Sequence, residues 1–100
     1  MRRAIPTAAL WLLLCAGCGP PQIGADHDAF KTVDAFYTAV SLRDQKLVDE
    51  CSARLKALRD AGKLPGSAAA ALDSIVAEAK GQRWESALDR LGRFMEGQRR

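Results

Sequence analysis

Three cysteines and one histidine are the side chains of this sequence best suited to redox, metal or nucleophilic chemistry. Cys15 and Cys18 stand three apart in "LLLCAGCG", at the edge of an apolar run. A thioredoxin-like pair needs a βαβ setting, which the surrounding pattern lacks, and haem attachment needs a histidine where Gly19 stands. His27 lies between Asp26 and Asp28, but consecutive residues of a helix point to different sides and do not converge on a metal. A solvent-facing first-turn histidine is the expectation. Cys51 occupies an apolar helical position and reads as a small buried hydrophobe. An intermolecular disulfide or a nucleophile are the alternatives, and a nucleophile would want a histidine base with an orienting partner. Asp49, Glu50, Glu85 and Asp89 are spaced as exposed helix faces, with Asp89 and Arg93 four apart as an ordinary ion pair. The sequence has no glycine-rich phosphate loop, nucleophile elbow or metal-ligand spacing. No catalytic residue, metal site, cofactor or small-molecule substrate is expected, and the chain does not read as an enzyme.

The cysteine pair makes sense as part of an address. Met1, Arg2 and Arg3 form a short positive start, and the apolar stretch Ala4–Leu14 follows. As a helix that stretch spans about 16 Å at ~1.5 Å per residue, roughly half of a ~30 Å hydrocarbon core. A cleaved secretory signal fits better than a membrane span. The residues "CAGC", 15–18, resemble the bacterial lipobox, with Cys15 where that motif commonly has Leu. The resemblance implies a signal peptide over residues 1–17 and a lipoprotein whose mature chain begins at Cys18, acylated with palmitate-type lipid on sulfur and on the new amino group. Cys18 would then be the membrane tether, and an ordinary cleaved secretory signal is the alternative. A residue other than Asp after the lipid cysteine, here Gly19, goes in such lipoproteins with sorting to the outer membrane, facing the periplasm.

Composition constrains the chain beyond the signal. Without Arg2 and Arg3 the net charge of +3 falls to near balance, so nothing argues for a nucleic-acid partner. Residues 26–50 carry six acids and three bases, whereas residues 51–100 carry six acids and ten bases. This asymmetry suits two mutually attracting halves of one fold, or a basic docking surface. Cys51 is the one cysteine of the mature chain besides Cys18, so the fold must rely on its core.

The elements that position these residues are helical. "GPPQIGA", residues 19–25, precludes a helix and reads, with the lipidated Cys18, as a flexible tether over 18–25 leading into a helical domain over 26–100. Asp26 is a suitable N-cap for a helix near 27–42, with Phe30, Val33, Tyr37 and Val40 on its apolar face and Phe36 beside them. Continuing that stripe places Asp44 on the apolar side. A turn at Leu42–Arg43 with Asp44 as a new N-cap removes the conflict, and one long helix over 27–61 stays the alternative. Leu47, Val48, Cys51, Leu55 and Leu58 form the next face, ended by Gly62 as a left-handed residue. Ser67 is expected to cap a third helix that faces inward with Ala68, Leu72, Ile75, Val76 and Ala79 and closes at Gly81. A last helix near 83–97 would bury Trp84, Leu88, Leu91 and Met95, with Ala87 and Phe94 flanking. The class is all-α, a small bundle of two helical hairpins, of four helices or three. An offset of 40 aligns Ala39 with Ala79, Arg43 with Arg83 and Asp49 with Asp89, a suggestion of duplication. "AKGQRWESALDRL" is similar to the turn of a tetratricopeptide-like hairpin, with Trp84 and Ala87 at its aromatic and small positions, which implies helical-hairpin architecture.

Two functions fit this organisation. One is a non-catalytic interaction or structural module of the bacterial cell envelope, tethered to the membrane and contacting an envelope protein or a second copy of itself. The other is a binder of anionic envelope polymer or lipid through the basic face of the last helix. Arg83, Ser86, Arg90, Arg93 and Arg100 fall along one side of that helix at three- and four-residue steps or their multiples. Arg83, Arg90 and Arg93 are the candidate partner-binding residues, because a planar guanidinium donates two parallel hydrogen bonds to carboxylate or phosphate.

Overall fold

Local capping chemistry sets where each helix begins and ends. The computed structural model describes residues 21–98 and contains α1 (His27–Ser41), α2 (Gln45–Asp60), α3 (Gly66–Lys80) and α4 (Trp84–Glu96). The Asp26 carboxylate accepts from the Ala29 N–H at 3.0 Å, and the Asp44 carboxylate accepts from the Leu47 N–H at 3.1 Å. Each satisfies a first-turn donor that has no intrahelical partner. The turn at Leu42–Arg43 is therefore real, and residues 27–61 form two helices. Arg43 takes the left-handed conformation (φ 54°), which lets the Asp44 N–H reach back to the Ala39 carbonyl at 3.0 Å. The same closing pattern recurs after α2, with Gly62 at φ 76°, and after α3, with Gln82 at φ 63°. Gly81 ends α3 as expected, but the left-handed residue is its neighbour.

Ser67 does not cap α3. Pro65 holds the N-cap position with φ −57° and ψ 147°, and its carbonyl accepts from the Ala69 N–H at 2.9 Å. The ring fixes the backbone ahead of the helix, so α3 starts before Ser67, which lies within its first turn.

Sequential helices pack antiparallel through short connections, and α4 closes the ring against α1. The two hairpins thus share one core. In an open stack of helical pairs the first and last helices would lie apart. Phe36, Leu72, Leu91, Val33, Val40 and Val48 are its fully buried large side chains, joined by Ile23 from the chain before α1. The hairpins repeat one another, but at a displacement of 39 rather than 40 positions. Buried Ala29, Val33, Phe36, Val40, Val48 and Leu55 then fall on buried Ala68, Leu72, Ile75, Ala79, Ala87 and Phe94, and left-handed Arg43 falls on Gln82. The three sequence identities lie out of this register, so they do not carry the repeat.

Two inward faces are rotated from their sequence reading. On α1, Phe36 is fully buried whereas Tyr37 is 37% exposed. On α4, Ala87, Leu91 and Phe94 face the core, while Trp84, Leu88 and Met95 are partly buried against it. Trp84 opens α4 at the rim of the bundle, where neighbours cover it from one side only.

Residues 21–25, expected as part of a flexible tether, are held against the bundle. Ile23 is 1% exposed, and its N–H donates to the Gln98 side-chain oxygen at 2.6 Å. The Gln98 amide donates to the carbonyls of Pro21 and Phe94, both at 2.8 Å, and the Gln22 amide donates to the Gly97 carbonyl at 2.9 Å. An apolar side chain with its backbone satisfied by a neighbouring carboxamide gains more from packing than it loses in chain freedom. Gly24, at φ 95°, then turns the chain into α1. We call this clasped end, shared by the start of α1 and the end of α4, the near end of the bundle.

Candidate functional surfaces

The arginines predicted on α4 point largely at the protein's own carboxylates. Glu78, near the end of α3, receives hydrogen bonds from the Ser86 hydroxyl and the Arg90 guanidinium. Its side chain is 15% exposed and that of Arg90 is 40% exposed. These two bonds, with the positive charge of Arg90 and Arg83, hold the Glu78 carboxyl below the usual carboxylate range. Arg93 pairs with Asp89 at 3.2 Å, the four-residue pair read from the sequence. Arg83 is exposed at the turn that precedes α4, and Arg100 lies outside the described residues. The expected stripe is thus split: Arg83 and Arg90 gather about Glu78, and Arg93 turns to Asp89.

The sign of the Glu78 effect gives a direct prediction. A carboxylate lowered in the folded state contributes stability above its ordinary range and loses it as pH falls through the lowered value. Glu78→Gln should therefore lower the melting temperature at neutral pH and make no difference in acid beyond that value. Thermal melts of both chains across acid to neutral pH check this. A melting difference that persists unchanged in strong acid would assign the effect to packing.

His27 is exposed in the first turn of α1, as expected. Cys51 is 6% exposed within the core, and burial pushes its thiol up, against the smaller opposing influence of Arg54. A thiol so placed is held in its weakly nucleophilic protonated form. Among the described residues no group of three histidine, cysteine or carboxylate side chains could hold a metal ion, and no helix is long and apolar enough to cross a membrane. Cys18 and residues 1–17, where a signal peptide is expected, lie outside the described residues.

Two surfaces that the sequence did not mark stand out. The far end, where α1 runs into α2 and α4 begins, exposes Leu42 (64%) and Tyr37. Tyr37 and Leu88 line a shallow groove that runs along α4 as far as Glu96, Arg43 and Trp84 line another at the start of α4, and Glu85 borders both. Arg43 and Glu85 lie 4.0 Å apart across it, both largely exposed, so their attraction is weak. The second surface is a groove of about 540 Å³ between α1 and α2 toward the near end, with Lys31, Arg54 and Lys63 among its walls. The one sequence feature that marks Leu42 is its place beyond the end of α1, as the C-cap of that helix. The basic groove had no such signal, because its cations come from three separate segments. Comparison of the chain with protein-family models, with curated proteins and with solved structures gives no match.

Proposed function

We propose that this protein is a lipid-anchored helical module of the bacterial cell envelope that acts by contact rather than by catalysis. Acylated Cys18 would hold it in the outer membrane, facing the periplasm, and its far end would meet an envelope protein or a second copy of the chain. The observation that carries this reading is where the exposed large apolar side chains fall. Tyr37 and Leu42 both belong to the last turns and cap of α1, away from the clasp that fixes the tethered end. The fifteen residues of α1 span about 22 Å at ~1.5 Å per residue, which carries that surface out from the membrane. Tyrosine, tryptophan and arginine side chains, here Tyr37, Trp84 and Arg43, are the residue types that dominate protein–protein contact energies. Anchoring raises the effective concentration of such a contact, so a modest surface suffices.

A photo-crosslinking residue placed at Leu42 in the full chain in cells tests the reading. An adduct to an envelope protein or to a second copy is expected at position 42, and a similar probe at exposed Ser67, on the near end, should give none. Tyr37→Asp in the Leu42-probe chain should lower the adduct yield while circular dichroism stays helical. Equal adducts from positions 42 and 67, or none from either, would remove the far end as a contact surface.

A further inference from the structure

We propose that the groove between α1 and α2 receives anionic phospholipid head groups of the bilayer in which the chain is anchored, an inference that rests on the lipid attachment at Cys18 proposed above. The groove walls carry Lys31, Arg54 and Lys63 against a single carboxylate, Asp28, over a floor that includes Ala35, Ala57 and Leu58. Among the described residues none of the three cations forms a hydrogen bond or an ion pair. Three arginines elsewhere on the bundle contrast with them: Arg59 meets Asp73, Arg90 meets Glu78 and Arg93 meets Asp89. Unpaired cations sharing one concavity leave an excess of positive charge that an anionic phosphodiester complements. Arg54 can grip phosphate with two parallel hydrogen bonds, and the lysines act as point charges.

Position selects the bilayer as the source of that anion. Lys31 also borders a depression formed by Gln22, Gly24 and Ala25, and Lys63 borders another formed by Ile23, Gly24 and Ala25. Both lysines therefore flank the segment through which the chain leaves toward Cys18. From Cys18 to Gln22 the chain can reach at most about 14 Å at ~3.3–3.6 Å per residue. Attraction of basic residues to an anionic leaflet acts within a Debye length of about 8–10 Å. A lipid on Cys18 thus keeps this end of the bundle within about one to two Debye lengths of the head groups. Zwitterionic head groups carry no net charge, so the groove should distinguish the two kinds of lipid.

Amine labelling of the membrane-purified protein tests this directly. The protein is reconstituted into vesicles of phosphatidylglycerol mixed with phosphatidylcholine, or of phosphatidylcholine alone, and labelled lysines are quantified by mass spectrometry. Lys46 and Lys80, in the first turn of α2 and the last of α3, report the far end. Labelling of Lys31 and Lys63 should fall roughly five-fold on the anionic vesicles, the factor given by ~1 kcal/mol per basic side chain at an anionic surface. Lys46 and Lys80 should not change. Arg54→Gln should weaken the protection of both groove lysines, and high salt should abolish it. Equal labelling on the two lipids, or an equal fall at all four lysines, would overturn the groove while leaving the anchor standing. The N-terminal mass of the same sample separates the two ideas, because an unmodified N-terminus ends the anchored reading and the lipid assignment with it.

Discussion

Replacing Phe36 by alanine is expected to cost about 3–5 kcal/mol, the range for truncating a fully buried aromatic side chain. Phe36 is 0% exposed and is the largest fully buried side chain of the bundle. Its loss would leave a cavity in the one core that the four helices share, whose walls are tied together in a ring and cannot collapse independently. A domain spanning residues 21–98 has about 4–12 kcal/mol of stability at ~0.05–0.15 kcal/mol per residue, so this change removes a large part of it. Tyr37→Ala, one residue along and 37% exposed, should stay near the ~0.5 kcal/mol expected of surface changes. Trp84→Ala should fall between the two, because its ring is only partly buried. Denaturant unfolding followed by circular dichroism checks the order. If Tyr37→Ala proved more damaging than Phe36→Ala, the inward face assigned to α1 would be wrong.

That contrast also shows where sequence reading reaches its limit. Phe36 and Tyr37 are adjacent aromatics about 100° apart on the helix, and each fits a three- and four-residue apolar spacing. The neighbours choose between them, and spacing alone does not name the neighbours. The caps of α1 and α2 were legible because they depend on residues next to each other: Asp26 and Asp44 accept from the N–H three residues on, and Gly62 adopts positive φ, whereas at α3 Pro65 takes the place expected of Ser67. The left-handed turns at Arg43 and Gln82 were harder to place. Neither residue favours that conformation, and the gain comes from backbone bonds closed across the turn. The face of α3 was legible but for Ala69, since Ala68, Leu72, Ile75, Val76 and Ala79 are all buried and Ala69 joins them.

Isolated apolar residues outside helices carry no periodic signal. Ile23, behind paired prolines, and Leu64, in the connection before α3, are both core residues, and neither could be told from a linker by pattern. The surfaces failed for a related reason. An arginine stripe can be drawn on a helical wheel, but the carboxylates that meet it lie elsewhere in the chain. Glu78 reaches Ser86 and Arg90 from α3, and this contact turns much of an apparent docking face into an internal one. Lys31, Arg54 and Lys63 show the converse, since their convergence exists only once α1 and α2 are packed.

Cys18→Ser is expected to move the protein out of the membrane fraction almost completely while leaving the bundle folded. Each buried methylene of an attached chain contributes ~0.8 kcal/mol, and several acyl chains together hold a protein firmly where one holds it marginally. The basic groove offers no substitute, because attraction at ~1 kcal/mol per basic side chain is lost at high salt, whereas acyl anchoring is not. The fold should not respond, since serine for cysteine changes a single side-chain atom and the clasp around Ile23 secures the start of the bundle. Ile23→Ala supplies the opposite dissection. Removing most of a buried isoleucine costs about 2–5 kcal/mol, so this chain should stay in the membrane fraction yet melt at lower temperature. Fractionation after a high-salt wash, the mass of the mature N-terminus and a thermal melt of each variant are the three measurements. Retention of the Cys18→Ser chain after that wash would mean that something other than the cysteine lipid holds the protein, and the reading of residues 15–18 as a lipobox would fall. Release of both variants would instead make the clasp part of the anchor, with the folded near end needed to seat the chain at the bilayer.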